Sequence, residues 1–119
     1  MREVVARGES GDPEARLARD VYLHRLRGGI AAMAATLGGL DTLVFTGGVG
    51  ENNSQIRAST AAGLAFLGVG IDDPLNRDSG DREITAAAGA ATRTLVIRAR
   101  EDLEIAAQVS RLLASDPSA

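Results

Sequence analysis

A chain of 119 residues with a formal net charge of −3 holds one domain with a modest core, and its acidic balance argues against nucleic acid, where a basic face supplies most of the affinity. It has no cysteine, which excludes disulfides, zinc knuckles and redox pairs, and its single histidine, His24, cannot form a paired-histidine metal site. All thirteen basic residues are arginine, which removes a P-loop lysine and any lysine Schiff base, although a GC-rich genome alone gives the same bias.

The first clear signal in chain order is the turn "GESGDPEA", Gly8 to Ala15. Asp12 is a good N-cap, and Pro13 at the first helical position has no N–H to leave unpaired. A helix is expected from 13 to about 37, with Tyr22, Leu26, Ile30, Met33 and Leu37 forming an apolar stripe. Gly28 and Gly29 interrupt it at a cost of about 1 kcal/mol each relative to alanine, so a kink or a close neighbour is expected there. "GGL" at 38–40 stops the helix. "TLVFT", Thr42 to Thr46, is short and apolar throughout, which suits a strand covered on both faces.

Beyond the strand a helix at about 53–67 places Ile56, Thr60, Gly63, Leu64 and Leu67 on one face and ends at Gly68. "GVGIDDPLNRDSGDRE" reads as loop, and "REIT" as a brief edge strand. "TRTLVIR", Thr92 to Arg98, is the second buried strand. "EDLEIAAQVSRLL" gives a last helix at about 101–114 with Ile105, Val109, Leu112 and Leu113 facing inward, and "DPSA" reads as a frayed tail. The order helix, strand, helix, strand, helix is α/β, with the two buried strands parallel. No apolar run approaches the ~20 residues of a spanning helix, and "MREVVARGESGDPE" lacks a signal-peptide core, so a cytoplasmic location is expected.

The stretch "LVFTGGVGENN", Leu43 to Asn53, carries the chemical question. In α/β folds, ligands bind at the carboxyl ends of strands, where loops lead into helix N-termini. Glycines let a ligand approach bare backbone, and Asn52, Asn53 and Ser54 offer caps or ligand hydrogen bonds. A plain strand-to-helix turn that uses glycine for its positive φ reads the same way. A Rossmann fingerprint fails because Asn53 stands where the third glycine belongs, and no Gly-Lys-Ser/Thr follows to make a P-loop.

"LDTLVFTGGVGENNSQIR", followed by "GLAFLGVGID", resembles the adenosine-loop region of the acetate kinase family. "DVYLHRLRGGIAA" and "TLVIRAREDLEIA" are similar to further segments of that family, in order and with sensible spacing. The resemblance implies an RNase H-like lobe of the acetate and sugar kinase/Hsp70/actin superfamily. Residues 1–119 would be a single partial domain, the C-terminal nucleotide-binding lobe. "MREV" resembles the end of the family's Ser-Gly-x-Ser-x-Asp-Met-Arg motif, so the chain is expected to begin inside it. The N-terminal lobe, with its acetate pocket and catalytic arginine and histidine, then has no counterpart, and no catalytic residue is assigned.

By resemblance, Gly48 and Val49 line the adenosine pocket, Asn52 hydrogen-bonds the nucleotide, and Arg2 matches an adenosine-contacting arginine. Glu101 matches a glutamate involved with the nucleotide's magnesium, although an acid in a first helical turn is also favoured by the dipole alone. Arg98 and Arg100 replace the family's usual proline and a neutral or acidic residue. His24 is expected to pack rather than react, and Glu51 to serve the loop or the helix dipole rather than act as a base. The implied reaction is ATP plus acetate to ADP plus acetyl phosphate, with ATP/ADP and Mg²⁺ as cofactors and this chain supplying the adenosine wall. Acetate would be held only with an N-terminal lobe, and a homodimer joined through the C-terminal portion is implied. Propionate or butyrate kinase, a non-catalytic nucleotide-binding module and a split-gene remnant remain as alternatives.

Overall fold

The computed structural model of the protein describes residues 1–116, so the expected tail "DPSA" lies, apart from Asp116, outside the described residues. The first two elements pack on each other. Helix α1 (Arg2–Glu9) lies along α2 (Pro13–Leu37), and a Cβ at Gly8 would stand 3.5 Å from the Arg16 backbone, an ordinary contact with no room to spare. The expected cap holds: Asp12 Oδ1 accepts from the Glu14 and Ala15 N–H groups at 3.0 and 3.2 Å, and Pro13 opens the helix. At the other end Gly38 adopts φ +78°, and the N–H of Gly39 bonds back to the Ala34 carbonyl.

Helix α2 runs unbroken through Gly28 and Gly29, and a Cβ at either would meet nothing within 4 Å. Of the kink or close neighbour expected there, no close neighbour is found among the described residues. Of the expected stripe, Tyr22, Leu26 and Ile30 are partly buried, whereas Met33 and Leu37 are exposed. His24 is exposed too, so the expectation that it packs is corrected.

Strand β1 (Thr42–Phe45) pairs in parallel with β3 (Arg93–Val96), Leu43 opposite Thr94 and Phe45 opposite Val96. The expected edge strand is β2 (Arg82–Glu83), antiparallel to β3, giving the order β1-β3-β2. The parallel pairing of the two apolar runs and the presence of a brief third strand were legible in the sequence; the antiparallel pairing of β2 with β3 was not. Nor was the coverage. Leu43, Phe45, Thr94 and Val96 are buried on one face, but Val44 is 47% exposed, and β1 is an edge strand. The apolar run predicted two covered faces; among the described residues only one is covered.

The core on that face comprises Leu43, Phe45, Ala61, Leu64, Val69, Ile84 and Val96. A second cluster, Val5, Leu23 and Ile56, joins α1 and α2 to α4 (Ser54–Ala62), with Val49 packed against it. The helix expected over 53–67 is shorter than that. It ends at Ala62, and a 3₁₀ turn, Ala65–Leu67, closes at Gly68 with φ +82°. The elements missed include α1 and the five-residue α5 (Asp73–Arg77), which lies inside the segment read as loop.

The last helix, α6 (Glu101–Ser115), forms where expected but buries none of its residues against a neighbour among the described residues. Every one of its residues is exposed, Leu112 to 70%, so the inward stripe of Ile105, Val109, Leu112 and Leu113 is corrected to an unpartnered one. Helical periodicity records that a stripe is apolar, not that its partner is present.

Candidate nucleotide site

The chain leaves β1 at Phe45, passes an extended Thr46 and turns at Gly47, whose φ of +77° suits glycine alone among ordinary residues. The expected open loop is in fact a short helix, α3 (Gly47–Asn52). Its glycines have separate tasks. A Cβ at Gly50 would stand 3.3 Å from the Phe45 carbonyl carbon, so bare backbone seats α3 on the strand end. A Cβ at Gly48 would meet nothing within 4 Å, which leaves that backbone open to an incoming group.

The polar residues then close one helix and start the next. Asn52 Nδ2 donates to the Gly48 carbonyl at 2.9 Å, which leaves its Oδ1 and a second N–H for other partners. Asn53 Oδ1 accepts from the Ile56 N–H at 3.0 Å and so caps α4, as expected of it.

These residues share a cleft with the start of the chain. About 330 Å³ is lined by Met1, Arg2, Gly48, Val49, Asn52 and Asn53. The four residues expected at the adenosine are therefore brought together from α1 and α3. Glu101 is not among them; it stands exposed in the first turn of α6. Glu51 faces elsewhere: its Oε1 accepts from the Ala99 N–H at 2.9 Å, bracketing the segment between β3 and α6 and lining a second cleft of about 570 Å³.

A second carboxylate holds the same segment. Asp81 accepts from the Arg98 N–H at 2.7 Å and pairs with the Arg100 guanidinium at 2.5 Å. The Arg100 hydrogen bond, helped by the Arg98 N–H, holds its carboxyl below the ordinary range. A lowered folded-state pKa contributes stability above the unfolded value, about 4, and that contribution is lost as pH falls through the folded value. Asp81→Asn is therefore expected to flatten the acid limb of stability. Thermal melts between about pH 6 and pH 3 check this, and parallel acid limbs in variant and parent would count against it.

Sequence reasoning passed over Arg57 and Asn76, both buried beside this corner. A charged side chain in mid-helix reads as solvent-facing. The available signal was position: Arg57 lies between Ile56 and Thr60, on the face already read as apolar.

A family model, the acetokinase family, matches residues 1–107. The chain belongs to that family. It is 50% identical over 98 residues to the acetate kinase of Gloeobacter violaceus, an alignment covering 82% of this chain and 24% of the relative. Among solved structures, Porphyromonas gingivalis acetate kinase superposes with a TM-score of 0.81 at 31% identity, covering 94% of this chain and 28% of that one. A propionate kinase from Francisella tularensis gives 0.79 at 37% identity, with 88% and 27% covered. The α/β fold is thus that of acetokinase-family kinases, and the chain spans about a quarter of the length of the curated relatives it matches. No helix of the described residues is long and apolar enough to cross a membrane.

Proposed function

We propose that this acetokinase segment binds the adenosine of ATP or ADP in the cleft of Arg2, Gly48, Val49 and Asn52, as the nucleotide wall of an acetate kinase. One observation carries the reading: residues from two separate elements converge on one cleft at the carboxyl end of a parallel strand, beside an unobstructed glycine. A flat purine lies against the Gly48 backbone with Val49 as apolar floor. The free Oδ1 of Asn52 accepts from an exocyclic amine, and the Arg2 guanidinium lies over the ring or bonds the ribose.

Among the described residues no group of three or more acids and histidines gathers to hold a metal, so this chain offers magnesium a single carboxylate. Glu101 is an exposed carboxylate, and Mg²⁺ is commonly held by one or two carboxylates together with substrate phosphates. The ion supplies charge neutralisation on the phosphates when bound; Glu101 would hold it from the start of α6, outside the adenosine cleft.

Acetate is the proposed acceptor because the curated relatives are acetate kinases. Propionate is the second reading, favoured by 37% identity to the Francisella propionate kinase. Titration calorimetry of the folded chain with ATP and with ADP tests the binding step. Saturable heat is expected; no heat at millimolar nucleotide from a folded chain overturns the reading. Binding without turnover in any assembly would leave a nucleotide-binding module, the rival from another class.

A further inference from the structure

Arg57 is 2% exposed, yet every partner it has among the described residues is an amide oxygen. Its Nη1 donates to the carbonyls of Gly50 and Glu51, at 2.8 and 3.0 Å. Those carbonyls belong to the last turn of α3, where the helix has no internal donors left. The other side of the guanidinium fork grips Asn76. Nε donates to Asn76 Oδ1 at 2.7 Å and Nη2 to the Asn76 carbonyl at 2.5 Å.

Asn76, 3% exposed, in turn donates from Nδ2 to the Ser54 carbonyl at 2.9 Å, at the start of α4. Its own helix is braced from β2, where Arg82 donates from Nε to the Leu75 carbonyl at 2.7 Å and from Nη2 to the Asn76 carbonyl at 3.0 Å. A continuous polar strut therefore runs from β2 through α5 and α4 to the end of α3.

Helix α3 needs such a strut, because none of its own residues is buried and, among the described residues, only Val49 of this helix packs against a core cluster. Its carbonyls are held by Arg57 on one side, and its Gly50 backbone rests on Phe45 on the other. Gly48, Val49 and Asn52 ride on that helix, so its placement sets the width of the 330 Å³ cleft. Neither Arg57 nor Asn76 lines that cleft.

We propose that Arg57 and Asn76 are positioning residues of the nucleotide cleft, fixing α3 through its C-terminal carbonyls while touching no ligand. The inference rests on the nucleotide reading above. It also gives α5, a five-residue helix in a segment of loop-like sequence, a task.

Two variants test it in the full chain. Arg57→Lys keeps the charge but replaces a planar fork with a point donor that cannot span both α3 and Asn76. Asn76→Ala removes the side-chain grip while leaving Arg57 its three backbone carbonyls, and it carries the test if the lysine variant fails to fold. Amide hydrogen exchange at residues 50–54 is expected to rise about tenfold or more, with β1 and β3 amides unchanged. Nucleotide affinity, measured well below the melting temperature, is expected to weaken about tenfold through lost preorganisation. Uniformly faster exchange across β1 and β3 with unchanged affinity would mean a merely structural role and overturn the proposal. A parent chain that binds no nucleotide overturns the nucleotide reading and the ligand half of this inference. The exchange pattern still decides the clamp by itself.

Discussion

Gly48→Val is expected to weaken ATP and ADP binding at least about a hundredfold, roughly 2.7 kcal/mol, while the folded chain melts close to its parent. The two halves of that result have separate causes. Gly48 has no positive φ and lies in a helix, and a Cβ there meets nothing within 4 Å, so the substitution brings neither backbone strain nor a clash. Valine is also a slightly better helix former than glycine, by a few tenths of a kcal/mol. The open space it fills is nevertheless the approach path of the ligand, since Gly48 lines the cleft with Arg2, Val49 and Asn52. A branched side chain there keeps a purine off the backbone.

Gly50→Val supplies the contrast. Its Cβ would press on the Phe45 backbone at 3.3 Å, so stability as well as binding should fall. Calorimetric titration beside thermal melts separates the pair. Full affinity in a folded Gly48→Val chain would move the nucleotide elsewhere.

The legible parts of this fold share a cause: their signals are local. Asp12 and Pro13 start α2 and Gly38 stops it through hydrogen bonds and dihedral angles within a few residues. Leu43, Val44 and Phe45 before a glycine turn marked β1, and Leu95, Val96 and Ile97 marked β3. Helix α5 escaped because five residues are too few to show a period, although Asp72 caps it and Pro74 sits in its first turn. Helix α1 buries little besides Val5 and Gly8, which is no pattern at all.

What covers a face was less legible still. Val44 and the stripe on α6 are apolar by composition, and their exposure depends on what else is present, which no local window contains. Within the site, the glycine corner was readable from the residues, whereas Gly48, Val49, Asn52 and Arg2 were singled out by the family resemblance; the structure gathers these four around one cleft. Arg57 was not readable, because its burial depends on Asn76, nineteen positions away, supplying the acceptors that make a buried guanidinium tolerable.

The 119-residue chain alone is expected to make no acetyl phosphate above a protein-free background when supplied with ATP, magnesium and acetate. Phosphoryl transfer requires the acceptor in line with the γ-phosphate and cations over the transferring group as its charge redistributes. A single arginine delivered to such a transition state is worth about 10³-fold or more. The cleft at α3 offers one guanidinium among its lining residues, Arg2, and by resemblance the acyl pocket lies outside the segment this chain matches.

The chain does present surfaces on which a complement could seat. The exposed stripe of Ile105, Val109, Leu112 and Leu113 is apolar, as is exposed Val44 on the open sheet face, and covering apolar area drives association. Mixing the chain with the separately expressed remainder of the Gloeobacter violaceus relative, of which it matches 24%, is therefore expected to restore turnover about 10³-fold or more over the chain alone. That restored activity should vanish with Gly48→Val, which ties it to this cleft. Acetyl phosphate from the chain by itself would show that the chemistry resides here, and an inert mixture that still forms a tight complex would favour the nucleotide-binding module.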